Sequence, residues 1–139
     1  VRSVPPLAGD ITGDLDMFLW PVVPGTWLVS EYPEGTGQAR TVEESVRVIR
    51  QHGHRVLRLP GLERIRRDDV NTMPNYANGV LINGRALHPA YGRPEDVRVG
   101  ELLSSLGLDP VPIDSGNIIL TQSGPHCISK TVPSSVLPS

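Results

Sequence analysis

The order strand, turn, strand, helix, strand occurs twice along this chain, and that repetition limits the fold more than any other feature. In the first copy an apolar run over residues 18–23 meets a Pro24-Gly25 turn, a second run over 27–29, and a loop carrying Gly35 and Gly37. A helix follows: Thr41 and Glu44 form a capping box, Val42, Val46 and Ile49 recur at helical spacing, and Gly53 is placed to end it. Residues 55–59 then read as a short strand closed by Pro60. The second copy has residues 79–82, an Asn83-Gly84 hairpin turn, residues 86–88, and a loop through Gly92. Its helix opens at Pro94 with Glu95 and Asp96 in the first turn, buries Val99, Leu102, Leu103 and Leu106, stops at Gly107, and is followed by a return strand over 111–113.

The expected fold class is therefore α/β, built from ββαβ units at about 14–60 and 74–130. A unit of this kind, at a period of roughly 55 residues, cannot bury its own faces and stacks around an axis with neighbours. Two copies are too few for a ring. A further chain, or N-terminal units beyond this sequence, would have to complete one, and Val1 in place of an initiating Met points to processing or to a piece of something longer. The polar stretch 63–72 reads as an exposed loop, with Arg64, Arg66 and Arg67 solvated, and the Pro- and Ser-rich tail 132–139 as unstructured or loosely docked.

With 38% apolar residues the chain can bury a real core without disulfides or a metal cluster. Its formal charge of −2 gives no electrostatic reason to expect nucleic acid or an acidic membrane surface. No stretch approaches the roughly 18 apolar residues that span a bilayer, and residues 1–20 lack a charged-then-apolar signal pattern, so a cytoplasmic setting is the expectation.

Three places could carry chemistry: Gly13-Asp14-Leu15-Asp16, Pro74-Asn75-Tyr76-Ala77-Asn78, and Ser123-Gly124-Pro125-His126-Cys127. Each lies at the start of a repeat or after the last one, so a radial arrangement would point all three at one end of the axis. Cys127 is the only cysteine, so it has no disulfide partner within the chain; such a thiol is either a small buried hydrophobe or a nucleophile. On an extended segment Asp14 and Asp16 would face the same side and repel unless a cation sat between them, although such a pair also suits a solvated turn. No further Asp, Glu or His lies at ligand spacing, so a metal is not expected and an organic cation is the alternative. On a strand, His126 and Cys127 would point to opposite faces, which places His126 behind the thiol. His52, His54 and His88 are assigned to structure or surface.

These pieces resemble a known family. His126-Cys127 after the Gly124 turn at the end of an apolar strand, Pro74-Asn75 and Asn78 followed by residues 79–84, the segment His88-Pro89-Ala90-Tyr91-Gly92, and Leu106-Gly107-Leu108 leading to Ile113-Asp114 look like the C-terminal part of protein-arginine deiminases. Agmatine deiminases share much of the pattern. The resemblance covers about residues 10–133 and implies part of a five-unit, pentein-like α/β propeller within the guanidine-modifying superfamily.

It also implies a guanidino-group hydrolase, in which Cys127 attacks the guanidinium carbon, ammonia leaves, and water releases a ureido product from a thiouronium adduct. Asp16 matches a guanidinium-holding aspartate of the family's Gly-His-x-Asp motif, and Asn75, Asn78, Gly124 and His126 are implied substrate-binding positions. Asp14 stands where the motif has its histidine acid and base, and a normal carboxylate is a poor acid at neutral pH. No organic cofactor is implied; calcium enters only because some protein-arginine deiminases require it. The partner is a guanidine-containing small molecule or an arginine side chain of a protein. Two other readings remain open: an amidinotransferase, with an amine replacing water, and a non-catalytic arginine-binding member or fragment.

Overall fold

The computed structural model describes residues 4–67 and 69–133, so most of the Pro- and Ser-rich tail, residues 134–139, lies outside the described residues. Two three-stranded sheets repeat one topology. In the first, β1 (Leu19–Val23) pairs antiparallel with β2 (Thr26–Ser30), which pairs parallel with β3 (Arg55–Leu59) after the helix α1 (Gly37–Gln51). A small hairpin, β4 (Ile65–Arg67) and β5 (Val70–Thr72), comes next. In the second sheet β6 (Val80–Ile82) pairs antiparallel with β7 (Arg85–Ala90), and β7 pairs parallel with β8 (Asp109–Asp114) after α2 (Pro94–Ser105). The expected double ββαβ order is present, and a helix links the parallel strands of each unit, as such a crossover requires.

Three local expectations are corrected. α1 starts four residues before Thr41, because Thr36 is extended after a turn and its hydroxyl accepts from the Ala39 N–H at 3.1 Å. Thr41 is inside the helix, with its hydroxyl donating to the Gly37 carbonyl. The stretch 63–72 holds the β4–β5 hairpin rather than a bare loop, its sides too polar to show alternation. The apolar run before Cys127 forms a 3-10 turn, Ile118–Thr121, rather than a strand.

The first sheet is buried on both faces. Alternate residues Leu19 and Val29 join Met17, Phe18, Val42, Val46 and Ile49 under α1. Trp20, Val22, Leu28 and Leu59 point the other way and pack with Val99 and Leu103 of α2 and with Tyr76, Ala77 and Ala86. This face of the first sheet thus shares one core with residues of the second unit, which is burial that an isolated unit lacks. Gly79 is the tightest point of this interface. A Cβ there would lie 2.3 Å from Trp20 Cη2, so only glycine lets the indole lie against the backbone.

A hydrogen-bonded knot fixes the segment that leads to Gly79. Tyr76 is fully buried and its hydroxyl donates to Asp96 at 2.6 Å. The same carboxylate accepts from the Tyr91 and Arg93 backbone N–H groups, and the Tyr91 hydroxyl donates to the Asn75 carbonyl at 2.9 Å. Burial raises the Tyr76 hydroxyl well above its ordinary range, reinforced by Asp96, so it stays a donor. Burial opposes the charge on Asp96, but the bonds from Tyr76 and from the backbone N–H groups of Arg93, Tyr91 and Gly92 outweigh it and hold the carboxyl below its ordinary value. His88, on β7, is buried against the Pro89 carbonyl, and burial lowers its pKa.

Two outcomes follow. Gly79→Ala should destabilise the fold by about 1–3 kcal/mol through overpacking against Trp20, read from denaturant unfolding, while Gly100→Ala, at a helical position with open space, should not. For Asp96 the folded-state pKa is depressed, so its stabilisation is present above the ordinary value of 3.8 and is lost as pH falls through the folded-state titration. Asp96→Asn should lower stability at pH 7 by about 1–2 kcal/mol, discounted for partial exposure, and flatten the acid limb of the stability curve below about pH 4.

Candidate functional site

The segment after β8 turns back across the knot and is clamped by one buried side chain. Asn78 Oδ1 accepts from the backbone N–H groups of His126, at 3.1 Å, and Cys127, at 3.2 Å, while its Nδ2 donates to Cys127 Sγ at 3.0 Å. Asn78 is itself held, its N–H donating to Asn75 Oδ1 at 3.0 Å. The close approach needs Gly124, where a Cβ would lie 2.5 Å from Asn78 Oδ1. These contacts have the residues spaced as they are because a turn, with Ile128 N bonded to Gly124 O and Ser129 N to His126 O, turns successive N–H groups toward one acceptor.

The turn also overturns the expectation that His126 and Cys127 face apart. Both reach the same oxygen: His126 Nδ1 is 2.6 Å from Asp16 Oδ2, and Cys127 Sγ is 3.5 Å from it. Asp16 does not lie on an extended segment. It sits in a 3-10 turn, Leu15–Met17, for which Asp14 is the N-cap residue, so the two carboxylates are not an alternating pair on one face. Asp16 Oδ1 is buried and has no hydrogen-bond partner among the described residues. That is an anionic acceptor left unsatisfied, a costly state that a nearby cation would relieve.

Asp14, Asp16, His126 and Cys127 line one cleft of about 970 Å³, and Cys127 is exposed there rather than sealed as a core residue. Asn75, Asn78 and Gly124 are buried behind it, and their polar atoms serve the turn: Asn75 Oδ1 holds the Asn78 backbone and Asn78 holds the segment that carries Cys127. Trp20, Pro21, Trp27 and Leu81 form an apolar wall that sequence reasoning did not single out. The paired tryptophans in a chain otherwise poor in aromatics were the available signal. His52 bonds through Nδ1 to the Val48 carbonyl and His54 leans toward Trp27 with ring centres 6.4 Å apart, so neither joins the site.

Chemically, the arrangement offers a thiol with an amide donor on its sulfur, a carboxylate within 3.5 Å, an imidazole on that carboxylate, and an apolar wall for a stem. Such a set suits a cationic ligand with an electrophilic carbon. Among the described residues no group of three or more His, Cys, Asp or Glu has the geometry to hold a metal ion, and no helix is long and apolar enough to cross a membrane.

The same fold occurs in solved deiminases. An agmatine deiminase of C. jejuni superposes with a TM-score of 0.78 at 18% identity, over 90% of this chain and 39% of that one. A candidate arginine deiminase from Porphyromonas gingivalis matches with a TM-score of 0.78 at 25% identity, over 94% and 41%. The agmatine deiminase of Enterococcus faecalis gives 0.71 at 13%, over 86% and 40%. This chain therefore spans about two fifths of the length of these structures. No curated protein sequence matches it. The model of the Porphyromonas-type peptidyl-arginine deiminases matches residues 8–133, nearly the whole chain, and to that family the chain belongs.

Proposed function

We propose that this chain carries the nucleophile and one substrate-holding carboxylate of a guanidino-group deiminase, in a catalytic unit whose remaining ββαβ units complete a five-unit ring. The observation that carries the reading is Cys127 Sγ at 3.5 Å from Asp16, beside a buried carboxylate oxygen with no partner. A guanidinium is permanently charged and planar, so a carboxylate can hold it through two parallel N–H groups while a sulfur approaches its central carbon from the face.

The steps then balance as follows. The Cys127 thiolate forms a C–S bond to the guanidinium carbon, and the tetrahedral adduct expels one nitrogen as ammonia after that nitrogen gains a proton. Water adds to the thiouronium carbon and loses a proton, and the C–S bond breaks to return the thiolate and a ureido product. Asn78 Nδ2 supports the negative sulfur at the first and last steps, since a donor at 3.0 Å favours the anion. Asp14, on the cleft rim, is the proton carrier proposed in place of the family histidine. The substrate is free arginine, agmatine or a peptidyl arginine, with the Trp20 and Trp27 wall contacting its stem.

A second reading, arginine binding without turnover, is favoured by one observation: an aspartate stands at position 14, where the resembling motif has its histidine. Loss of a positioned acid or base lowers rate by roughly 10² to 10⁴.

Incubation with 2-chloroacetamidine should place one adduct on Cys127, and Asp16→Asn should slow it at least tenfold; adduct formation at the rate of a free thiol would sink the deiminase reading. Ammonia released from agmatine or an arginine peptide separates turnover from binding alone, and Asp14→His should raise that release by about 10² or more if Asp14 is the weak point. Citrulline-type product without ornithine from arginine plus glycine excludes amidino transfer.

A further inference from the structure

The reaction proposed above needs a proton on the leaving nitrogen, because an amide anion is too basic to depart. A carboxylate is a poor source of that proton at neutral pH, and Asp14 is exposed on the rim of the cleft. An imidazole gains and loses a proton in this range. Of the four histidines, three are engaged elsewhere: His52 bonds the Val48 carbonyl, His54 leans on Trp27, and His88 is 1% exposed with its Nδ1 on the Pro89 carbonyl. His126 is the one that lines the cleft with Asp14, Asp16 and Cys127.

Its ring sits beside the reacting groups. Nδ1 lies 2.6 Å from Asp16 Oδ2, and Cys127 Sγ lies 3.5 Å from the same oxygen, so one atom touches both the imidazole and the attacking sulfur. A carboxylate oxygen has more than one lone pair, and Oδ2 can accept from the ring and from a guanidinium N–H at once. A nitrogen held there stands next to the ring rather than in its place. The ring is also free to turn. Asn78 Oδ1 grips the His126 backbone N–H and not the imidazole, and the side chain is 58% exposed, so it collects a proton from solvent between turnovers.

From this we infer that His126 is the proton donor to the leaving nitrogen, a role that falls to the Cys127 turn because position 14 holds a carboxylate. The inference rests on the deiminase reading and leaves to Asp14 the proton taken from water, which suits a base. The imidazolium protonates one nitrogen of the tetrahedral adduct, the C–N bond breaks, and ammonia departs with the bonding pair. Asp14 then accepts a proton from the water that adds to the thiouronium carbon. That proton passes through solvent to the exposed ring, and both groups regain their starting forms.

The test uses two substrates that differ only in leaving group: agmatine, which must lose ammonia, and its S-methylisothiourea analogue, which loses methanethiolate and needs no proton to do so. Both give the same Cys127 adduct, since one C–S bond forms while either C–N or C–SCH₃ breaks. Release of ammonia or methanethiol is followed in a single turnover, and the agmatine rate of each variant is divided by its analogue rate. That ratio cancels changes in turn position, thiol reactivity and cation binding. His126→Ala, and His126→Gln with an N–H kept for Asp16, should both lower the ratio by about 10². A ratio unmoved in both variants overturns the inference, as does a wild-type chain that releases methanethiol from the analogue but no ammonia from agmatine. Asp16→Asn isolates the underlying reading. Analogue turnover at least tenfold slower in that variant upholds the cation site whatever the His126 variants show, whereas an analogue rate indifferent to Asp16 refutes the deiminase reading and the inference with it.

Discussion

The contact of Trp20 with Gly79 sets the spacing on which the site depends. Trp20 lies four residues beyond Asp16, and Gly79 follows Asn78 directly, so the indole lying on bare backbone joins the carboxylate of the first unit to the asparagine that grips the Cys127 turn. Close packing transmits position with little slack, because a side chain in a filled core has no empty volume to move into. The two catalytic candidates are 111 residues apart in sequence, yet their separation of 3.5 Å is governed by this one interface and by the clamp beside it.

The outer layers of that interface were legible because their local signals were clear. The apolar runs 18–23 and 27–29, Asn83-Gly84 with both residues at positive φ, and Pro94 at the first turn of α2 each have one physical reading, and strands and helices formed there. The start of α1 was not legible because two threonines compete as caps, and only the turn at Pro33 decides for Thr36, whose hydroxyl donates to the Pro33 carbonyl. The β4–β5 hairpin was hidden by composition: with Arg66, Arg67, Asp69 and Asn71 around it, neither face alternates. Buried partnerships such as Tyr76 with Asp96 leave no trace in spacing at all, since twenty residues separate donor from acceptor.

At the site, the sulfur and the two acids were visible as residue types, but their roles were not, because role follows from backbone shape. Reading an extended chain through 126–127 sends the imidazole behind the thiol; the turn sends both to Asp16. Reading Asn75 and Asn78 as ligand contacts misses their bonds within the chain: Asn75 Oδ1 accepts from the Asn78 N–H, and Asn78 holds the His126 and Cys127 backbone and the sulfur. The asparagines instead fix the segment that carries Cys127, the nucleophile of the proposed function, for which misplacement by about 1 Å can cost 10²-fold in rate.

A turn also solves an electrostatic problem that a strand could not. On a strand, the backbone N–H groups beside Cys127 would be committed to a neighbouring strand, and the sulfur would face Asp16 with no donor of its own. Two like charges 3.5 Å apart would then oppose each other whenever the thiol ionised. Freed from a ladder, the N–H groups of residues 126 and 127 hold the Asn78 carbonyl oxygen, and that grip orients the amide so that its NH₂ end meets the sulfur. One side chain thereby fixes the loop with its acceptor and meets the sulfur with its donor. Under the proposed function a cation lies between Asp16 and Cys127, so the clamp that fixes the turn also sets the width of the slot that receives it.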